Sequence, residues 1–108
     1  MNRTEFLEFH KSACDKMHAI CSAKNKDYAG PGGDDAFANF TRVEKMGIAT
    51  TEQGMLTRMT DKLSRLASFA NAGTLAVKDE SATDTLLDLA NYCILMAGYL
   101  ASKMHGEK

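Results

Sequence analysis

Glu80, Asp84, Asp88 and Asn91 recur at intervals of four, four and three residues, which at about 100° per residue gathers them into one narrow strip of a helix. They interrupt an otherwise apolar stretch, 79–104, in which no Lys, Arg, Glu or Gln occurs between Ser81 and Ser102. A surface helix carries such long, hydrated side chains on its outer face, so this one is expected to have neighbours around most of its circumference. Carboxylates drawn out of water cost several kcal/mol each unless a cation, a metal ion or hydrogen-bond donors compensate. Asp88, in mid-helix between Leu87 and Leu89, therefore calls for a partner: a metal ion or a cation from a neighbouring helix. The plainer alternative is a solvated face, or a strip paired with arginines for structure alone.

A second polar group, Arg58, Asp61, Lys62 and Arg65, shares one side of another helical pattern. Such a stripe can neutralise phosphate, or it can be a solvated face laced by i, i+4 pairs such as Asp61 with Arg65. The third group is KNKDYAGPGGDD, residues 24–35, where Gly and Pro cluster among Asn, Asp and Lys. That composition predicts a long loop able to close over a ligand, with Lys24 and Tyr28 facing it. If the three groups meet, they form a pocket for a phosphorylated, flat-ringed ligand: carboxylates Asp61, Glu80, Asp84 and Asp88 for Mg²⁺, cations for phosphate, and Tyr28 or Phe37 for stacking. His10, Cys14 and His18 also fall at i, i+4, i+8, but no fourth zinc ligand stands at a telling distance. There is no nucleophile elbow, CxxC pair, HExxH, GxGxxG or P-loop, which argues against covalent hydrolases, zinc enzymes and the common phosphate-binding motifs.

These groups need helices to hold them. Asn2 with Glu5 forms a capping box for a first helix, with Phe6, Phe9, Ala13, Met17 and Ile20 on one face and an end near Ala23. Asp34 or Asp35 caps a short second helix over 36–46, stopped by Gly47. Thr50 or Thr51 caps a third helix that runs to Asn71, with Met55, Leu56, Met59, Leu63, Leu66, Ala67 and Ala70 as its core stripe. The last helix covers 79–104. Its apolar side, Leu86, Ala90, Cys93, Ala97, Leu100 and Met104, lies opposite the polar strip, and Ala97, Gly98 and Ala101 would admit a close neighbour.

The expected fold is therefore all-α: one domain over 1–108, a bundle of three long helices and one short one with a Gly-rich loop, and a homo-oligomer to cover the last helix. With 108 residues, 44% of them hydrophobic, and a formal charge of -1, the chain allows one modest core and gives no global electrostatic reason to bind DNA or an anionic membrane. Three cysteines without a CxxC pair suit a reducing cytoplasm, and the longest apolar run, ten residues, is half of what a bilayer needs.

The succession KNKDYAG, DDAFANF, RMTDKLSRL and VKDESATDTLLDLANYCIL resembles the small all-helical proteins of phages and prophages called the nucleotide-modification-associated domain. The resemblance spans residue 24 to about 95. Carried over residue by residue, it singles out Asn25, Asp27, Tyr28, Asn39, Phe40, Arg58, Asp61, Lys62, Arg65, Asp79, Glu80, Asp84, Asp88, Asn91 and Tyr92. More distantly, TDTLLDLANYCIL is similar to the last catalytic helix of MazG-like nucleoside triphosphate pyrophosphohydrolases, where acids one turn apart bind Mg²⁺. Those enzymes also carry EExxE on the preceding helix, whereas RMTDKLSRL has Asp61 as its one acid. The resemblance thus implies a cytoplasmic, phage-type protein of a bacterial host cell that binds a nucleotide or cyclic nucleotide. The two rival activities are Mg²⁺-dependent pyrophosphohydrolysis and sequestration of a nucleotide immune messenger in phage counter-defence. Binding without turnover suits the cationic third helix better.

Overall fold

The computed structural model describes residues 1–28, 33–72 and 79–106, apart from the side chains of 28, 79–81, 105 and 106. Four helices follow one another: α1 (Arg3–Tyr28), α2 (Ala38–Lys45), α3 (Thr51–Ala72) and α4 (Asp79–Gly106). The fold is all-α, and no strand occurs among the described residues.

Local chemistry sets the helix starts. Asn2 caps α1, its Oδ1 accepting from the Glu5 amide at 2.9 Å; its Nδ2 donates to the Glu5 carboxylate at 3.1 Å, a side-chain contact in place of the return bond to the Asn2 amide that a capping box makes. Thr50 and Gln53 make the full capping box at the head of α3: Thr50 Oγ1 accepts from the Gln53 amide at 3.1 Å and Gln53 Oε1 from the Thr50 amide at 3.0 Å. A further acceptor comes from outside the helix, since Glu44 at the end of α2 takes the Thr51 amide proton at 2.9 Å. That bond ties α2 to α3 across the turn at Gly47, whose φ of +75° is a conformation that side-chain-bearing residues rarely adopt.

Two expected boundaries differ. The α1 helix continues to Tyr28 rather than ending near Ala23, so the first five residues of the expected loop are helical. Lys24, Asn25, Lys26 and Asp27 are polar, but none is a helix breaker of the strength of Gly or Pro, and the first such residue is Gly30. The α2 helix starts at Ala38, two residues late. The Asp35 carboxylate is spent on the Phe37 amide, 2.9 Å away, and so orders the turn before the helix.

The most extensive packing is between α3 and α4, with α2 laid against α3 and α1 crossing α4 and α2. Gly54 explains how α2 approaches so closely: a Cβ there would stand 3.0 Å from Val43 Cγ1. Phe40 of α2 and Met55 of α3 are the buried apolar side chains among the described residues. Phe37 packs its ring edge-on to Tyr99, centroids 5.6 Å apart, with its tip over Gly98. It is part of the packing, not the ligand-stacking ring expected.

The expected core stripes are only partly covered. On α3, Leu56 and Leu63 remain exposed beside buried Met55. On α1, Ala13, Met17 and Ile20 are half-buried, whereas Phe6 and Phe9 are open. On α4 the covered side carries Thr85, Asp88, Tyr92, Leu95 and Tyr99, and the opposite side, expected to be enclosed, faces outward. By length and composition Ala82–Met104, with a mean hydropathy of 1.2, would suffice to cross a membrane. This measure exceeds what the ten-residue run alone implied, and a soluble core helix can satisfy it equally.

Candidate functional site

Where α1 crosses α4, a shallow cleft open to solvent is lined by Cys21, Lys24, Asp88, Asn91, Tyr92 and Leu95. Helical spacing explains the lining. Cys21 and Lys24 are neighbours on α1 at i, i+3, while Asp88, Asn91, Tyr92 and Leu95 occupy successive turns on one side of α4.

Asp88 is the hinge of its electrostatics. One carboxylate oxygen accepts from Lys24 Nζ of α1 at 3.2 Å, and the other lies 3.6 Å from Lys62 Nζ of α3. Its side chain is 25% exposed and that of Lys62 17%, so the α3 pair sits at the boundary between surface and interior, where screening is reduced. Two ammonium groups share one carboxylate, leaving a local excess of one positive charge. One turn earlier Asp84 meets Lys16 at 3.4 Å on the exposed rim.

Asn91 donates from Nδ2 to the Met17 carbonyl of α1 at 3.1 Å, a bond to a helix acceptor that fixes how the two helices cross. Beside it the Tyr92 ring meets Phe40 edge-on, 6.4 Å between centroids, and the Arg58 guanidinium lies 4.7 Å from the Phe40 centroid. Phe40 is thus a core side chain that backs the cleft wall, and Arg58 is committed to its ring.

The three polar groups read from the sequence meet only in part. Lys24, Lys62, Asp88, Asn91 and Tyr92 come together, with Phe40 and Arg58 behind them. Asn25 instead clips the end of α1 to the chain before α2, donating to the Ala36 carbonyl at 3.3 Å. Asp27, Asp61 and Arg65 are exposed and do not line the cleft, nor does half-buried Asn39. The charged stripe on α3 therefore divides: Lys62 turns toward α4, while Arg58 covers an aromatic ring. Tyr28, Asp79 and Glu80 have side chains outside the described residues, as do residues 29–32 of the expected closing loop.

The Mg²⁺ set can be tested against this geometry. Asp84 and Asp88 are each engaged by ammonium groups, and no cluster of three or more His, Cys, Asp or Glu that could hold an ion occurs among the described residues. Asp61, Asp84 and Asp88 thus do not converge on a Mg²⁺ site in this arrangement, and the fourth expected ligand, Glu80, has its side chain outside the described residues. His10 and Cys14 approach to 3.9 Å on exposed α1, again without a third ligand.

Two cleft residues escaped the sequence reading. Cys21 has no spacing or neighbour in the sequence that sets it apart from the other small residues of α1. Leu95 did carry a signal, being an apolar residue that falls on the polar strip of α4, as expected where that strip is a cleft wall instead of a wetted surface.

Residues 24–97 match the model of the family described as nucleotide modification associated domain 1. No curated protein and no solved structure matches the chain.

Proposed function

The chain belongs to the nucleotide modification associated domain 1 family, and from that premise we propose that its α1–α4 cleft binds a nucleotide or nucleotide-derived ligand without cleaving it. The observation that carries this reading is the sharing of Asp88 by Lys24 and Lys62 beside the Tyr92 wall. Two ammonium groups on one carboxylate can turn part of their hydrogen-bonding capacity to an incoming phosphate, which supplies several strong acceptor oxygens. Tyr92 and Leu95 offer the flat, apolar surface that a base requires.

Binding accounts better than hydrolysis for the side chains present. Cleaving a diphosphate calls for metal ions on both the attacking and the leaving oxygen, and the carboxylates nearest the cleft are occupied by lysines. The role would be to deliver or sequester a nucleotide in connection with nucleotide modification.

The test is a thermal-shift panel of deoxynucleoside mono- and triphosphates and cyclic dinucleotides, each with and without Mg²⁺, with the recovered ligand analysed for cleavage. A ligand at 100 times its Kd stabilises the fold by about 2.7 kcal/mol, enough to raise Tm by several degrees in a domain of this size. The expected result is a shift with at least one nucleotide, lost in the Lys24→Gln/Lys62→Gln double variant and diminished by high salt. A shift that survives the double variant would move the site elsewhere. Cleaved ligand would replace binding with catalysis.

A further inference from the structure

The outward side of α4 carries Leu86, Ala90, Cys93, Ala97, Leu100 and Met104, a 4-3-4-3-4 succession that leaves no charged side chain along roughly 27 Å of helix. Its large members are open: Leu86 is 52% exposed, Leu100 42% and Met104 74%, with Ile94 beside them at 60%. This is the alternating three-and-four spacing by which one helix offers a seam to another, and Ala90, Ala97 and Ala101 keep its middle low enough for close approach. The occupant of such a seam is a helix.

The surface left open is of the size that a second copy would cover. A folded monomer of 11.8 kDa is expected to expose about 5,900 Å², whereas the chain exposes 7790 Å². The excess of roughly 1,900 Å² per chain is more than the ~800 Å² that each partner buries in a standard interface and falls within the roughly 1,000–2,500 Å² that each partner buries in an obligate homodimer. The radius of gyration agrees, 16.2 Å against about 13 Å for a compact chain of this length. Among the described residues the buried apolar side chains are Phe40 and Met55, a small interior for a stable monomer.

We propose that the outward face of α4 is the subunit interface of a homodimer, in which Leu86, Cys93, Ala97, Leu100 and Met104 pack against the same residues of a second copy. A two-fold pairing suits a face of this kind, because an uncharged apolar seam is complementary to itself. The polar strip of α4, with Asp88 and Asn91, lies on the opposite side, so pairing leaves the α1–α4 cleft open. The inference therefore stands or falls independently of what the cleft binds.

The test combines sedimentation velocity with maleimide labelling of the free cysteines, read by mass spectrometry. Cys93 is exposed in the single chain, and exposed Cys14 on α1 serves as the internal reference. Without detergent, the wild-type protein should sediment as a dimer in which Cys93 labels roughly tenfold more slowly than Cys14, with the ratio relaxing on dilution. Ala97→Glu and Leu100→Lys, both on the exposed face, should each give a monomer of unchanged helical circular dichroism whose Cys93 labels freely. A wild-type monomer with rapidly labelled Cys93 overturns the proposal. So does a dimer that persists in both variants, which would use another face, or protection of Cys93 that appears only on adding phosphatidylcholine vesicles, which would make the seam a lipid contact. Should either variant misfold, the concentration dependence of Cys93 labelling in the wild type decides alone.

Discussion

Glu52 near the head of α3 and Lys103 near the end of α4 meet at 2.9 Å, with the Lys103 ammonium also 5.6 Å from the centre of the Tyr99 ring. The hydrogen bond that Lys103 donates holds the Glu52 carboxyl below its usual 4.5, and the same bond holds Lys103 above its usual 10.5. The signs follow from linkage. A carboxyl held low stabilises the fold above about pH 4.5 and loses that contribution as pH falls through its folded value. An ammonium held high stabilises fully below about pH 10.5 and loses its contribution as pH rises through its own. The pair should therefore contribute evenly across the neutral range and fail at both ends. Glu52→Gln should lower Tm at pH 7, and the gap from wild type should close on acidification below about pH 4.5. A gap of constant size from pH 7 to pH 3 would show that the carboxylate charge contributes nothing to the fold.

At the scale of elements, the turn between α2 and α3 depends on Glu44. Its carboxylate takes the amide proton of fully buried Thr51, in addition to the box made by Thr50 and Gln53. Glu44→Ala should cost about 1 to 2 kcal/mol in urea unfolding with m unchanged, as expected when a buried helix-head amide loses its acceptor. A loss below a few tenths would mean that water replaces the carboxylate. The sequence disclosed Asn2 with Glu5, and Thr50 or Thr51 as the cap of α3, but neither the answering bond from Gln53 nor Glu44, because nothing in the spacing of Glu44 distinguishes a cap from a surface acid. The end of α1 was obscured for a related reason: Lys24 to Asp27 have the composition of a loop, and a tertiary bond such as Asn25 to the Ala36 carbonyl cannot be seen in a helical pattern. The candidate site was legible as a strip on α4. Which cations would reach it was not, since Lys24 lay in an expected loop and Lys62 was indistinguishable by type from Arg58 and Arg65 on its own stripe.

At the scale of the whole molecule, the helices differ in how much of their surface neighbours cover. Both α3 and α4 are long and mutually packed, whereas α1 is held to the rest at Lys16, Met17, Lys24 and Asn25, all in its second half. From Arg3 through Ser12 every α1 residue is exposed, including the tilted pair Phe6 and Phe9. An isolated helix segment of ten residues is marginal in water, because nucleation outweighs the few hydrogen bonds it gains. Opening of the α1 head should therefore cost far less than global unfolding, and native-state hydrogen exchange should report it. Amides of Phe6 to Ser12 are expected to exchange within seconds to minutes at neutral pH, while those of Met59 to Leu66 on α3 and Leu89 to Met96 on α4 remain protected up to the free energy of global unfolding. Equal protection of both groups would contradict a loosely held head, and would mean that Phe6, Leu7 and Phe9 are covered in solution by a second copy or by another part of the assembly. Measuring exchange at two protein concentrations separates those cases, because protection supplied by a second copy weakens on dilution and protection from within one chain does not.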